Sequence, residues 1–162
     1  MPRTSDLPQN LSAFLDMIAV SELGAAILAG SDDGYNVLVG STPAHINTFP
    51  SYAKHPGIPV KVRDGLISTA AGRYQVLKRY ADSYTMQLRL PDFGPKSQDE
   101  IAIEMIHECR ASADIELGNV AAAVDKCASR WASLPGASYG QHTNALADLI
   151  DAYTKSGGTV AA

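Results

Sequence analysis

The chain has 162 residues, of which 46% are hydrophobic and 19% charged, and its formal net charge at pH 7 is −4. This composition excludes a disordered chain, and the length is sufficient to bury a core without disulfide or metal staples. The basic residues are dispersed along the sequence, which argues against nucleic-acid binding. We therefore predict one domain over residues 1–162, with residues 1–9 as a flexible N-terminal arm.

The first predicted element is an amphipathic helix that follows Asn10, a residue type favoured at the N-cap. Apolar side chains recur at helical spacing as far as about Ser21, at Leu11, Phe14, Leu15, Ile18 and Ala19. Glycines and aspartates then predict a loop, and residues 35–39 a strand that ends at Gly40. Four prolines interrupt regular structure before residues 60–62, which form a candidate second strand.

The rest of the chain is helical in pattern, with four helices predicted over residues 68–88, 97–109, 120–131 and 146–156. Ser97 and Glu100 have the spacing of a capping box at the start of the second of these helices. Together the elements predict an α+β fold. It is mostly helical, with a small antiparallel β-sheet that flanks a substrate cleft.

Glu22 is the residue that the sequence singles out for chemistry. It lies eleven residues after Leu11, so at about 100° per residue it falls within roughly 20° of the apolar stripe. Partial burial and the negative end of the helix dipole both raise the pKa of such a carboxyl, as a general acid near neutral pH requires. The alternative is that the helix ends earlier and Glu22 turns to solvent or pairs with an arginine.

Residues 68–75 offer side chains for binding. Arg73 and Gln75 have hydrogen-bonding groups suited to sugar hydroxyl and acetamido groups. The alternative interpretation is that Ser68 caps a helix, Arg73 is solvated and Tyr74 lies in the core.

A loop that follows Trp131 is a second candidate for binding. Tyr139 lies near its tip, where an aromatic face can pack against a sugar ring, whereas Trp131 follows the apolar stripe of its helix. Cys109 and Cys127 fall at apolar helix positions and are interpreted as core thiols rather than as a disulfide or metal pair. The four histidines lack the spacing of a metal site. We therefore predict no metal and no cofactor.

Five blocks of this sequence, in order, resemble the endolysins of phage lambda and its relatives. They are AFLDMIAVSE (13–22), GYNVLVG (34–40), STAAGRYQ (68–75), FGPKSQD (93–99) and WASLPG followed by YGQ (131–141). This resemblance, over about residues 11–160, implies a lysozyme-like fold and lytic transglycosylase activity on peptidoglycan. Glu22 then stands at the family's catalytic glutamate. Val20 and Leu23-Gly24 depart from the tryptophan and the Gly-Thr that relatives commonly have around it.

The implied reaction cuts the β-1,4 bond between N-acetylmuramic acid and N-acetylglucosamine without water. Glu22 protonates the glycosidic oxygen, and the C6 hydroxyl of the muramic acid attacks C1 to give a 1,6-anhydro ring. One alternative is a hydrolytic muramidase that uses Asp32 or Asp33 as second carboxylate, although both residues also fit an ordinary turn before Gly34. Another alternative is a non-catalytic glycan-binding module.

The predicted substrate-binding residues are Tyr35, Ser68, Arg73, Tyr74, Gln75 and Tyr139. The predicted partner is the glycan strand of peptidoglycan, and we expect a monomer. No apolar run approaches the roughly 20 residues that span a bilayer, and residues 1–6 lack the apolar core of a signal peptide, so no stable membrane insertion is expected. We expect the protein to stay in the host cytoplasm until a membrane-permeabilising factor, a holin, gives it access to the periplasm and cell wall.

Overall fold

A computed structural model describes residues 1–136 and 143–161 of the chain. Within these residues it contains seven helices and one two-stranded antiparallel sheet. The elements in chain order are α1 (Gln9–Leu23), α2 (Ala25–Ala29), β1 (Val60–Arg63), β2 (Leu66–Ser68), α3 (Lys78–Leu88), α4 (Pro95–Glu108), α5 (Ser112–Leu117), α6 (Val120–Cys127) and α7 (Leu146–Lys155). The predicted α+β class, mostly helical with a small antiparallel sheet, is confirmed. None of the helices in these two described ranges is long and apolar enough to cross a membrane.

The chain divides into two compact units. Unit 1 consists of Met1–Glu22 and Ala102–Ala162, so that the two ends of the chain fold together, and unit 2 is Leu23–Ile101. Unit 2 contains the sheet, whereas α5, α6 and α7 belong to unit 1, where α6 packs against both of the others. The single domain over residues 1–162 stays a prediction.

α1 is more deeply buried than the sequence predicts. All residues from 13 to 19 are buried, so this part of the helix is enclosed around its circumference, not along one stripe. Asp16 is among them, and its Oδ1 lies 3.4 Å from the α-ammonium group of Met1. This ion pair brings the first residue of the chain against α1, and the flexibility of residues 1–9 stays a prediction.

The start of α1 also differs from the prediction. The helix begins at Gln9, so Asn10 lies inside it and is not the N-cap. The Oδ1 atom of Asn10 accepts a hydrogen bond from the backbone N–H of Thr159 (2.9 Å), and its Nδ2 donates to the carbonyl of Glu116 (3.1 Å). Asn10 therefore ties the start of α1 to the C-terminal half of unit 1.

Residues 35–39 do not form the predicted strand. Val37 and Leu38 each make an isolated β-bridge, with Thr48 and Ala71 respectively, so the two bridges use different partner segments. Prolines at 43, 50, 56 and 59 limit the length of extended partner available to this segment, because proline cannot donate to a ladder. The other predicted strand, over 60–62, is confirmed as β1, which pairs with β2.

The largest error in the predicted elements concerns residues 68–77, which the sequence pattern assigns to the start of a helix. In the structure Ser68 ends β2 and residues 69–77 lie between β2 and α3, where Ala71 and Val76 exchange two backbone hydrogen bonds of 3.1 Å. The turn between them requires positive φ at Gly72 (80°) and at Gln75 (48°). Left-handed backbone at two positions is incompatible with a helix.

α4 begins at Pro95 and not at the predicted capping box of Ser97 and Glu100. Proline is well suited to the first turn of a helix, where its missing N–H has no intrahelical partner to lose. Just before the helix, Asp92 Oδ1 accepts hydrogen bonds from the N–H of Gly94 and the hydroxyl of Ser97, both at 2.7 Å. Asp92 therefore organises this helix start in place of the capping box.

The remaining helices follow the predictions more closely. α7 is confirmed, and α6 is confirmed except that it ends at Cys127, so Trp131 is a buried residue outside the helix. α2 and α5 are not predicted, because elements of five and six residues are too short to show helical periodicity. Cys127 is buried, as the core interpretation predicts, whereas Cys109 is only half-buried.

Gln98, a buried residue of α4, holds the segment that follows β2. Its Oε1 accepts from the backbone N–H of Arg73 (2.9 Å), and its Nε2 donates to the carbonyls of Tyr35 (2.9 Å) and Phe93 (2.8 Å). A Cβ atom added to Gly72 would lie 2.2 Å from the Oε1 of Gln98. The Gln98 side chain cannot move away without breaking these three hydrogen bonds.

We expect Gly72→Ala to lower the free energy of unfolding by about 2–4 kcal/mol, because overlap with Gln98 adds to the strain of a positive φ. Gly65→Ala is the matched control. Its φ of 76° is similar, but nothing lies within 4 Å of the added Cβ, so only the strain of about 1–2 kcal/mol applies. Chemical denaturation of both variants measures the difference. Equal losses would contradict the proposed constraint by Gln98.

Candidate active site

Glu22 lies in the last turn of α1, which extends to Leu23 and so includes Glu22 within the helix. Its side chain is half-buried. The sequence predicts that the helix ends near Ser21, and the two additional residues settle the alternative in which Glu22 leaves the helix. The structure thus places this carboxyl at the C-terminal end of a buried helix, as the angular argument predicts.

The carboxyl of Glu22 is held by a network of hydroxyl and amide groups within unit 1. Ser133 Oγ donates a hydrogen bond of 2.6 Å to Glu22 Oε1, and the backbone of Ser133 also hydrogen-bonds to this carboxyl. The Oγ atoms of Ser133 and Ser21 lie 2.7 Å apart, and Asn144 Nδ2 lies 3.0 Å from Ser21 Oγ. Four side chains from three separate parts of the sequence therefore form one continuous chain of hydrogen bonds.

The sequence analysis does not identify Ser21, Ser133 or Asn144 as functional residues. Ser21 adjoins Glu22, and Ser133 lies in a block that resembles a known family, so both had a weak signal. Asn144 had none, because its role depends on a contact across 123 positions of sequence.

Burial raises the pKa of Glu22 from its ordinary 4.5 to about 6, although the hydrogen bonds from Ser133 lower it. An acid with this pKa is protonated in a large fraction of molecules near pH 6. It is also basic enough to take a proton back after donating one. These are the properties of a group that acts as general acid and then as general base.

Three predicted substrate-binding residues form a buried polar cluster in unit 2. Asp99 Oδ1 accepts hydrogen bonds from the hydroxyls of Tyr35 (2.8 Å) and Tyr74 (2.7 Å). The guanidinium carbon of Arg73 lies 5.3 Å from the ring centroid of Tyr35 and 5.9 Å from that of Tyr74. Tyr35 is 0% exposed, and Arg73 and Tyr74 are each 1% exposed. These three side chains therefore lie in the interior of unit 2, and their contact with a substrate stays a prediction.

Both aspartates considered as a second carboxylate have structural partners. Arg73 Nη1 donates to the backbone carbonyl of Asp33 (2.5 Å) and forms an ion pair with its Oδ1 (2.7 Å). Burial by itself raises the pKa of Asp33, but hydrogen bonds and positive charge, including those of Arg73, lower it below its ordinary value. The hydroxyl of Tyr52 donates to Asp32 Oδ2 at 2.5 Å. These contacts give each carboxylate a role in the fold of unit 2.

The other predicted binding residues stay predictions. Ser68 is half-buried, and its Oγ accepts from the N–H of Ala70 at 3.2 Å. Gln75 is also half-buried, and its Nε2 donates to the carbonyl of Gly72 at 2.8 Å. Tyr139 lies outside the described residues.

His55 is a buried histidine. Its Nε2 lies 3.0 Å from the carbonyl of Val76, and its Nδ1 accepts from the N–H of Gly57 at 3.1 Å, so the neutral ring carries its proton on Nε2. Burial lowers the pKa of His55, which favours this neutral form. Across the described ranges, no three His, Cys, Asp or Glu residues are grouped so that they could hold a metal ion.

Comparisons with known proteins agree with the resemblance seen in the sequence. A family model described as Endolysin matches residues 12–160. The endolysin of Escherichia phage P2 is 44% identical over 158 residues, which are 94% of this chain and 96% of that protein. The endolysin of Escherichia phage lambda is 43% identical over 156 residues, or 91% of each chain.

Solved structures give the same result for the fold. Bacteriophage lambda lysozyme in complex with a chitohexasaccharide matches with a TM-score of 0.88 and 41% identity, over 97% of this chain and 99% of that one. A further structure of lambda lysozyme matches with a TM-score of 0.83 and 40% identity, with the same coverage. The predicted lysozyme-like fold is confirmed.

We expect Glu22→Gln to stabilise the protein by about 2 kcal/mol at pH 7.5. The rise in pKa from 4.5 to about 6 is roughly 1.5 units, and each unit corresponds to about 1.4 kcal/mol. The cost of ionising Glu22 in the folded state is absent below pH 4.5, grows between the two pKa values and is complete above pH 6. Unfolding free energies at pH 4 and pH 7.5 should therefore show a gain that disappears in acid. An equal change at both pH values would contradict this prediction.

Proposed function

This chain belongs to the endolysin family, and on that premise we propose that it cleaves the glycan strands of peptidoglycan as a lytic transglycosylase. It is an endolysin of the lambda type, a lysozyme-like enzyme that acts on the cell wall. The observation that carries the finer proposal is the state of its carboxylates. Glu22 has a pKa raised to about 6, while Asp32 and Asp33 are engaged in structural contacts.

In the proposed reaction Glu22 donates its proton to the glycosidic oxygen between N-acetylmuramic acid and N-acetylglucosamine. The bond from C1 of the muramic acid to this oxygen breaks, which leaves an oxocarbenium-like centre at C1. The C6 hydroxyl of the same sugar attacks C1, and its proton passes to Glu22. The acid is thereby regenerated, no water is consumed, and the muramic acid ends in a 1,6-anhydro ring.

A single carboxyl is sufficient for this sequence of steps. The C6 hydroxyl is tethered to the reacting sugar, so its attack has the entropic advantage of an intramolecular reaction. A hydrolytic glycosidase instead uses a second carboxylate, at about 5 Å for a retaining enzyme or about 6.5–9.5 Å for an inverting one. The ion pair of Asp33 with Arg73 and the hydrogen bond of Asp32 with Tyr52 favour the reaction with one carboxyl.

The complex of lambda lysozyme with a chitohexasaccharide supports a glycan as the substrate class here, because that protein is 41% identical to this chain over nearly its whole length. Chitohexasaccharide is a polymer of β-1,4-linked N-acetylated sugars, as the peptidoglycan strand is. Peptidoglycan also carries lactyl ether groups, which chitohexasaccharide lacks, so digestion of purified peptidoglycan is the direct test of the substrate.

We expect mass spectrometry of the fragments released from purified peptidoglycan to show 1,6-anhydro-muramic ends. Such ends are lighter by one water than the reducing ends that hydrolysis produces. Fragments with reducing ends would contradict the transglycosylase proposal and would favour the hydrolytic muramidase with Asp32 or Asp33 as partner.

Three variants serve as controls for this experiment. Glu22→Gln should release no fragments while it remains folded and retains binding to the glycan, which separates catalysis from binding. Asp32→Asn should still release anhydro fragments. Asp33→Asn should also cleave where it is folded, although it loses the charge partner of buried Arg73 and should unfold at a lower temperature.

We further propose that the enzyme waits in the host cytoplasm until a membrane-permeabilising factor admits it to the periplasm. Expression in Escherichia coli tests this order of events. Cultures should keep their turbidity until the inner membrane is opened with chloroform, and Glu22→Gln cultures should keep it afterwards. Lysis by the wild-type protein before chloroform is added would contradict the proposed dependence. The monomeric state stays a prediction.

A further inference from the structure

The hydrogen-bond chain that ends at Glu22 has a direction, and the direction follows from its far end. Asn144 Nδ2 lies 3.1 Å from the carbonyl oxygen of Ser21 and 3.4 Å from that of Ser133. Carbonyl oxygens only accept hydrogen bonds, so the atom that faces them must be the amide nitrogen and not the amide oxygen. The orientation of the Asn144 amide is therefore determined by the backbone around it.

The amide nitrogen of Asn144 also faces the Oγ of Ser21, at 3.0 Å. Since the nitrogen is a donor, Ser21 Oγ accepts at this contact. A hydroxyl has one proton, and the next oxygen along the chain is Ser133 Oγ, at 2.7 Å. The proton of Ser21 is therefore directed to Ser133.

Ser133 also has a single hydroxyl proton. Its Oγ accepts a hydrogen bond from Ser21, and its own hydroxyl donates to Glu22 Oε1, at 2.6 Å. The order of donation is thus Asn144 to Ser21, Ser21 to Ser133 and Ser133 to Glu22. Each serine hydroxyl accepts one hydrogen bond from the residue before it in this order and donates one to the residue after it. The Glu22 carboxyl is the last acceptor.

We propose that Ser21 and Asn144 are positioning residues. They force the Ser133 hydroxyl to donate a hydrogen bond to Glu22 and prevent it from accepting a hydrogen bond from the protonated carboxyl. This inference rests on the proposed function, because it assigns a role to groups that act through the catalytic carboxyl. Neither residue is required to touch the substrate. Both act by fixing which way one hydroxyl points.

The direction has a consequence for the reaction. When Glu22 is protonated, the chain offers that proton no acceptor, so the proton is given to the glycosidic oxygen of the substrate. When Glu22 has lost its proton, the hydroxyl of Ser133 stabilises the carboxylate. The lowering of the Glu22 pKa by Ser133 agrees with donation in this direction.

The test is a double-variant cycle read from pH profiles. In Ser133→Ala the carboxylate loses its donor, so the pKa of Glu22 should rise by about one unit and the alkaline limb of kcat/KM should move to higher pH. In Ser21→Ala the hydroxyl of Ser133 becomes free to accept a hydrogen bond from the protonated Glu22 carboxyl, which stabilises the acid form. The alkaline limb of kcat/KM should therefore move in the same direction, by roughly half a pH unit. Because Ser21 acts only through Ser133, the double variant should match Ser133→Ala alone.

Ser12→Ala is the matched control, since it makes the same substitution at another half-buried serine of α1, and its pH profile should equal that of the wild type. Asn144→Ala tests the far end of the chain and should shift the limb as Ser21→Ala does. It also decides the question if Ser21→Ala fails to fold. Melting temperatures identify any variant whose change is only a loss of stability.

Two results would overturn the inference. One is an unchanged alkaline limb in folded Ser21→Ala or Asn144→Ala, and the other is a double variant in which the shifts of Ser21→Ala and Ser133→Ala add. Titration of the Glu22 carboxyl by carbon NMR measures the same shifts without any cleavage. Lack of cleavage by the wild type would therefore reject the proposed function, while the NMR titration would still decide the role of the hydrogen-bond chain.

Discussion

The hydrogen bond from Ser133 to Glu22 joins two positions that are 111 residues apart, and the proposed chemistry of unit 1 depends on it. Glu22 belongs to the N-terminal helix, while Ser133 lies between α6 and α7 in the C-terminal part. The carboxyl can be both half-buried and oriented only because the two ends of the chain fold into one unit. Asn10 contributes to the same closure by its hydrogen bonds to Thr159 and Glu116.

Burial and hydrogen bonding act on Glu22 in opposite directions, and the balance between them determines its use. Burial alone would raise the pKa further and leave an acid that gives up its proton less readily. The hydrogen bonds from Ser133 limit that rise, so that one group is able to donate a proton and then to recover one. The folded protein bears the cost of ionising a half-buried acid near neutral pH, which is typical of residues kept for function at the expense of stability.

Unit 2 shows a different use of buried polar groups. Asp99 accepts hydrogen bonds from two tyrosine hydroxyls, and Gln98 makes hydrogen bonds to three backbone groups. These two adjacent residues of α4 thus provide hydrogen-bond partners for buried polar groups in a part of the chain with little regular structure. Such a network specifies one arrangement of the chain, because each donor left without its partner would carry a desolvation cost. It also explains why much of the segment 68–75, which the sequence suggests for substrate binding, is buried. Arg73 and Tyr74 make hydrogen bonds and ion pairs in the interior of unit 2.

The amino-acid sequence by itself determined the fold class, the positions of β1, α6 and α7, and the choice of Glu22, because these depend on local periodicity and on one charged residue in an apolar stripe. Sequence also identified the family, through several blocks in order. Only the tertiary structure decided that residues 69–77 form a turn, that Tyr35 is a core residue, and that Ser133 and Asn144 belong with Glu22. The physical reason is the same in each case. A hydrogen bond between distant residues, such as the one that the N–H of Arg73 donates to Gln98, outweighs the local preference of the segment. Such a bond leaves no periodic pattern in the sequence.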